Sequence, residues 1–288
     1  MTKEQFAARL AQGPLILDGA TGSNLMAAGM PRGVSTERWV LEHPEVLKTL
    51  QRGYAEAGSQ AVYAPTFQAN RISLPDADLE TMIPRLVALS REAVGTGVLV
   101  AGDISSTGRM APLGPVTYEE LFDCYSEAIA ILDRAGVDYL AAETLLTVEE
   151  ATAILDAAAS VSELPVTVSL TIEADGSLLF GGNIFDAAVD LEAMGAAAVG
   201  VNCSVGPDQL EAVVRTIAER VSIPVLAKPN AGIPVIDDQG NAVYSLDAPE
   251  FGRHMKALRA AGASVLGGCC GTAPEYIRAM CEELRQGR

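Results

Sequence analysis

Three of the chain's five cysteines sit where apolar runs stop. Cys203 closes Val199-Gly-Val-Asn-Cys, and Cys269-Cys270 follow Ala263-Ser-Val-Leu in a loop thinned by Gly267, Gly268 and Gly271. Adjacent cysteines make poor partners for each other, because a vicinal disulfide departs from ordinary Cα separations. Three thiolates converging from two strand ends describe instead a zinc site with its fourth position open. Packing of small residues at strand ends and a redox-active pair are the competing readings, the latter weakened by the absence of Cys-x-x-Cys spacing. Cys124 and Cys281 fall inside helical patterns and read as packing residues. His43 and His254 lie in charged, helix-rich stretches away from any strand end, so acid–base work by histidine is not expected.

The elements that must position these thiols are strands and helices in alternation. Continuous apolar runs predict strands at Leu15–Ala20, Ala61–Phe67, Val98–Ile104, Tyr139–Glu143, Val166–Ile172, Ala197–Cys203, Pro224–Pro229 and Ser264–Gly268. They are apolar throughout rather than alternating, as expected of parallel strands covered on both faces. Helical patterns with recognisable ends lie between them: from Pro44 to Gly58, from Thr117 to Gly136, Ala151–Ala159, Asp186–Met194, Pro207–Arg220, Pro249–Ala261 and Pro274–Leu284. Thr117-Tyr-Glu-Glu120 and Thr147-Val-Glu-Glu150 both read as capping boxes. Four strands are introduced by the same phrase, a small-residue helix end closed by Gly58, Gly136, Gly195 or Gly262 at the C-cap. Eight such units predict a single-domain (β/α)8 barrel, an α/β TIM barrel, over residues 1–288. An open doubly wound sheet is disfavoured, because Asp18-Gly-Ala-Thr-Gly22 is not a GxGxxG fingerprint and no GK[ST] occurs.

In a barrel, chemistry gathers at the C-terminal strand ends. Those ends carry Asp18, Thr66, Asp103, Glu143, Asn202-Cys203, Asn230 and Cys269-Cys270. The strand of Cys203 and that of Cys269-Cys270 are separated by one strand, roughly 10 Å, so their side chains can meet. Composition narrows the partners. A net charge of −17 opposes nonspecific binding to nucleic acid or anionic lipid, and neither is expected. The first residues lack the layout of a secretory signal, no apolar run approaches a membrane span, and an odd number of cysteines fits no disulfide framework. The chain reads as cytoplasmic with reduced thiols.

Asp18-Gly-Ala-Thr-Gly-Ser23, Gly102-Asp103, Glu143-Thr144, Gly200-Val-Asn-Cys-Ser204, Lys228-Pro-Asn-Ala-Gly232 and Gly267-Gly-Cys-Cys-Gly271 together resemble the homocysteine S-methyltransferase family, in order along nearly the whole chain. The Pro229-Asn-Ala-Gly232 segment is most similar to the homocysteine-binding domain of cobalamin-dependent methionine synthase. The resemblance implies a barrel whose Cys203, Cys269 and Cys270 hold one Zn2+, with homocysteine sulfur as fourth ligand and methionine as product. It further implies that the Asp18-Gly19-Ala20 loop and Glu143 hold the amino-acid end of the acceptor, with Thr66 in the pocket wall and Asn202 orienting Cys203.

The chemistry of these residue types agrees. A metal-bound thiol is deprotonated outright, and three thiolates leave zinc with excess negative charge, so the acceptor sulfur stays nucleophilic. Asp18 and Glu143 match an α-ammonium, whereas backbone N–H groups around Gly19-Ala20 suit a carboxylate; a salt bridge to a barrel arginine is the competing role for either acid. Two departures stand out. Ala64-Pro65 occupies the place of a Thr-Asn pair usual in the family, removing a polar side chain and a backbone donor. The chain also ends at Arg288, without pterin, cobalamin or activation modules, so a methylcobalamin donor is expected on a separate corrinoid protein. The alternatives are another acceptor thiol, S-methylmethionine or betaine as donor, or a noncatalytic zinc barrel that docks on a corrinoid protein.

Overall fold

The structure, a computed structural model, describes residues 1–112, 114–237 and 242–286. Among the described residues ten strands follow one another: β1 Leu15–Ile16, β2 Ala61–Tyr63, β3 Leu99–Ser105, β4 Tyr139–Leu145, β5 Val166–Leu170, β6 Ala198–Asn202, β7 Val225–Lys228, β8 Pro234–Ile236, β9 Ala242–Tyr244 and β10 Ala263–Leu266. Eight of them form one parallel sheet in the order β1-β10-β7-β6-β5-β4-β3-β2, while β8 and β9 pair as an antiparallel hairpin. The eight parallel strands form the nearly closed barrel that the alternating pattern predicts, with helices outside.

The closure lies between β1 and β2, and side chains supply most of it. One backbone bond joins them, Gln60 N to Ile16 O at 2.7 Å. Gln60 Oε1 accepts from Ile16 N (3.0 Å), Ser59 Oγ donates to Leu17 O (3.0 Å), and Asp18 Oδ2 accepts from Tyr63 N (2.9 Å). Both strands are shorter than the predicted Leu15–Ala20 and Ala61–Phe67. After β2, Ala64 N still bonds Ala101 O, but Pro65 has no N–H to continue the ladder. After Leu17, the main chain turns to the C-terminal loop, where Ala20 N donates to Thr272.

The repeated helix ends behave as their glycines predict. Gly58, Gly136, Gly195 and Gly262 have φ of 116°, 81°, 92° and 120°, a region that side-chain-bearing residues avoid. The Thr117–Glu120 capping box forms. The second predicted box forms only by half: Thr147 accepts from Glu150 N, but the buried Glu150 carboxylate turns away to accept from Ser106 Oγ (2.6 Å) and Thr107 N (3.0 Å). Unpaired donors in the loop after β3 draw it there. The predicted helix Pro207–Arg220 divides into a 3-10 turn, Pro207–Gln209, and a helix, Glu211–Arg220. Helices at Lys3–Ala11, Gly22–Ala27, Thr36–Glu42 and Leu79–Val94 add to those read from the sequence.

Inside the barrel, Phe6, Tyr63 and Tyr139 pack among Ala61, Ala101, Ala141 and Ala198. The rings of Phe6 and Tyr139 lie 5.3 Å apart, and those of Tyr63 and Tyr139 6.5 Å apart and edge-on. Each such buried ring or aliphatic side chain stabilises by roughly 1.5–3 kcal/mol. A larger aliphatic cluster fills the space between strands and helices. Gly200 lets β6 approach β7, since a Cβ there would fall 1.9 Å from Leu226 O. No described helix is long and apolar enough to cross a membrane.

Candidate functional site

The order β6-β7-β10 brings the ends of β6 and β10 to one place with β7 between them. Cys203 N donates to Lys228 O on β7, and Cys269 N donates to Pro229 O from the other side. The Sγ atoms of Cys203, Cys269 and Cys270 all lie within 4.8 Å of one another, with Cys203 and Cys270 3.4 Å apart. A tetrahedral zinc with bonds of ~2.3 Å places its sulfurs about 3.8 Å apart, so the donor set fits such an ion. All five cysteines are free thiols. The glycines beside the pair are required by space. A Cβ on Gly267 would meet Leu17 Cβ at 2.7 Å, and one on Gly268 would meet Thr272 Oγ1 at 2.4 Å. Cys270 is drawn down to about 3 because it accepts from Cys203 and Cys269, whereas those two thiols are pushed up, Cys269 to about 11. A cation would relieve that crowding by taking all three as thiolates.

The sulfurs line a cavity of about 720 Å³ at the mouth of the barrel. Its floor is ionic. Lys228 Nζ lies 3.1 Å from Glu143 Oε2, 3.8 Å from Asp18 Oδ1 and 4.4 Å from the centre of the Tyr63 ring. Burial opposes the charge on Lys228, but Glu143 and Asp18 outweigh it and hold its pKa well above the ordinary value. Burial pushes all three neighbouring carboxyls up, Asp18 to about 7, while Lys228 partly offsets the shift in each. Asp103 Oδ1 is buried without a hydrogen-bond partner. Three acids and one lysine leave this floor short of positive charge and of donors.

The site residues expected from the sequence divide by position. Glu143, Ala20 and the three cysteines line the cavity, and so does Asp103. Asp18 lies behind them, 1% exposed, with one carboxylate oxygen in the barrel closure. Gly19 packs so closely that a Cβ would meet Tyr54 and Thr272 at 2.8 Å. The Ala20 N–H is engaged by Thr272 Oγ1 at 3.1 Å. Thr66 is buried, accepting from Asp103 N and donating to Asp103 O. Asn202, expected to orient Cys203, directs its amide to Cys269 Sγ at 3.9 Å and to Glu143 Oε2 at 3.4 Å. Asn202 Oδ1 also accepts from Thr144 N (2.7 Å) and Ser169 Oγ (2.9 Å). Cys124 and Cys281 are buried in helices away from the cavity, and His43 stacks on Trp39 outside it. Lys228 and Tyr244 line the cavity without having been singled out. The signal for Lys228 was available: a lysine closing the apolar run Val225-Leu-Ala must meet buried anions.

A family model described as Homocysteine S-methyltransferase matches residues 15–284. The chain belongs to the homocysteine S-methyltransferase family. It is 33% identical over 294 residues to a methionine synthase of Mycobacterium leprae (strain TN), covering 93% of this chain and 24% of that protein. A methionine synthase of Mycobacterium tuberculosis (strain ATCC 25618 / H37Rv) is 32% identical over 296 residues with the same coverage. The chain therefore spans about a quarter of the length of these relatives. Among solved structures, the metallated form of the homocysteine methyltransferase MmuM from Escherichia coli superposes with a TM-score of 0.79 at 24% identity, over 98% of this chain and 99% of that one. The barrel expected of the family is the barrel observed.

Proposed function

We propose that this chain is a zinc-dependent S-methyltransferase that moves a methyl group onto the sulfur of homocysteine, giving methionine. The observation that carries the reading is the meeting of three cysteine sulfurs within 4.8 Å, at the wall of a cavity whose ionic floor sets three acids against one lysine. Cys203, Cys269 and Cys270 would hold the ion. A zinc ion bound there supplies deprotonation of an alkyl thiol and keeps its sulfur electron-rich beside three thiolates.

The chain's own residues bind and orient the acceptor. Glu143 and Asp103 line the cavity and receive the α-ammonium, which gives Asp103 Oδ1 the donor it lacks. Lys228 holds Glu143 from behind at 3.1 Å and partly offsets the cost of burying its charge. Asp18 adds charge from behind the wall, Thr66 fixes the Asp103 main chain, and Asn202 holds Cys269 and Glu143 in one frame. Tyr63, Pro65 and Phe67 provide an apolar wall to the cavity. Pro65, the second residue of the Ala64-Pro65 departure noted in the sequence, lies in that wall. With sulfur and methyl carbon aligned, the chemistry is in-line displacement, which positioning accelerates without a protein base.

The donor in this reading is methylcobalamin on a separate corrinoid protein, supported by the similarity of Pro229–Gly232 to the cobalamin-dependent branch. A single-turnover assay with metal-loaded protein, homocysteine and free methylcobalamin tests it: methionine should form. Methionine from S-methylmethionine or betaine but not from methylcobalamin would reassign the donor. Absence of transfer from any of the three to any thiol would leave a noncatalytic docking subunit.

A further inference from the structure

Two segments that line the cavity come from opposite ends of the chain, Ala20 to Ser23 after β1 and Cys269-Cys270 after β10. They are laced together behind the wall. Gly268 N donates to Asp18 O at 3.0 Å, and Gly271 N donates to Ser23 Oγ at 3.3 Å. Thr272, fully buried, sits between them. Its hydroxyl donates to Cys269 O (2.7 Å) and accepts from Ala20 N (3.1 Å). Its side chain is wedged between two glycines: a Cβ on Gly19 would meet Thr272 Oγ1 at 2.8 Å, and one on Gly268 would meet Thr272 Cγ2 at 2.6 Å. The carbonyls of Ala20 and Thr272 are also gripped as a pair. The Tyr54 hydroxyl reaches them at 2.7 and 3.1 Å, and Asn24 Nδ2 donates to both at 2.8 Å. The acceptor-side wall and the cysteine loop are therefore one hydrogen-bonded unit, with the Thr272 hydroxyl as its central link.

We propose that Thr272 is a positioning residue whose hydroxyl sets the separation between the sulfur cluster and the Ala20–Ser23 wall, and that this fixed separation selects the acceptor thiol by chain length. The inference rests on the reading of the cavity as a homocysteine site. In that reading the sulfur sits at the cysteines and the ammonium at Glu143 and Asp103. The polar stretch Thr21-Gly22-Ser23 lines the same cavity and is the wall left for the carboxylate. Ser23 Oγ accepts from Gly271 N, so its O–H can serve that group. A ligand held at both ends spans a gap, and a gap between two parts of one rigid unit does not adjust to the ligand. A thiol one methylene too short then fails to satisfy both ends, and a single methylene is worth about 10–200-fold in discrimination.

Thr272→Val keeps the shape of the side chain and removes only the hydroxyl. Ala20 N and Cys269 O each retain a second partner, Thr272 O at 3.2 Å and Thr272 N at 3.1 Å, so the fold should survive. Thr272→Ser keeps the hydroxyl and gives up the methyl packed beside Gly268. The test compares binding of homocysteine and of cysteine to Co2+-loaded protein, followed by the sulfur-to-metal charge-transfer band, and measures Ala20 amide exchange in metal-free protein. The parent should favour homocysteine by about 100-fold and Thr272→Val by about 10-fold, while Thr272→Ser matches the parent. Ala20 exchange should quicken in Thr272→Val alone. An undiminished preference in Thr272→Val would overturn the inference and leave the homocysteine reading standing. An equal loss in Thr272→Ser would do the same, because packing and not the hydroxyl would then be the agent. A parent that binds both thiols equally would also overturn it. Should Thr272→Val not fold, Tyr54→Phe decides in its place, since it takes from Ala20 O and Thr272 O one of their two shared donors; a parent-like preference there overturns the inference. Binding of neither thiol to the Co2+ protein would remove the homocysteine reading and this inference together.

Discussion

Asn202 and Thr144 grip each other across the mouth of the barrel. Thr144 N donates to Asn202 Oδ1 at 2.7 Å, and Asn202 Nδ2 donates to Thr144 Oγ1 at 2.8 Å. The grip spans from β6 to β4 over the intervening β5. It also holds Thr144 at a φ of +56°, an unfavourable region for a β-branched residue, directly after Glu143. The same amide faces Cys269, so Glu143, the proposed anchor of the acceptor, and the sulfur cluster share one support. Asn202→Ala should destabilise the fold by about 2–4 kcal/mol, read as a shift in urea midpoint, because several buried partners lose their bonds together. Metal affinity should fall about 10–100-fold in a chelator competition. A variant with parent-like values of both would show that the grip supports neither.

Cys203→Ala tests the sulfur assignment itself. Zinc content after dialysis should drop from about one ion per chain to near zero, with circular dichroism unchanged, since three ligands are the fewest that define such a site. Full zinc occupancy in the variant would dismiss the three-cysteine site.

Asp103→Asn separates the acceptor from the metal. Asn at 103 keeps the shape but removes the charge offered to an α-ammonium, so homocysteine should bind about tenfold more weakly, or ~1.4 kcal/mol. Zinc content should not change. Equal loss of both would place Asp103 in support of the sulfurs instead.

The pH dependence of stability follows from Asp18. Its folded pKa is raised to about 7 by burial, against 3.8 unexposed to that environment, so between these values the native state binds the proton more strongly than the unfolded chain. The stability this contributes is fully present below pH ~4 and is lost as pH rises through ~7. Asn at position 18 can still accept from Tyr63 N but does not titrate. Asp18→Asn should therefore flatten the decline in unfolding free energy between pH 5 and 8, by on the order of 1–4 kcal/mol. An unchanged slope would show that Asp18 stays ionised throughout.

Much of this was legible in the chain, and the reason is local. A glycine after a small-residue helix end, as at Gly58 and Gly262, has one comfortable use, and its repetition marks four of the returns to the barrel. Apolar runs mark the strands, and the order of strands then places Cys203 opposite Cys269-Cys270. What could not be read depends on distant partners. The helix Leu79–Val94 hides behind Pro84, which ordinarily argues against a helix interior. The hairpin of Pro234–Ile236 and Ala242–Tyr244 has three-residue strands that are exposed apart from Tyr244, so no burial pattern announces it. Asn202 was legible as a polar strand end, but not its choice of Cys269 and Thr144, which only the register of β4, β5 and β6 decides. Lys228 and Asp18 meet through strands far apart in sequence, and neither names the other.

The joint between β1 and β2 gives the barrel a clasp, and the clasp is electrically live. Asp18 fastens Tyr63 N with one carboxylate oxygen and turns the other toward Lys228, which in turn holds Glu143. An ammonium bound as proposed would compete with Lys228 for Glu143 and release Lys228 toward Asp18. The Tyr63 amide becomes a built-in gauge of occupancy, and its exchange with solvent should slow when the acceptor enters and quicken when it leaves.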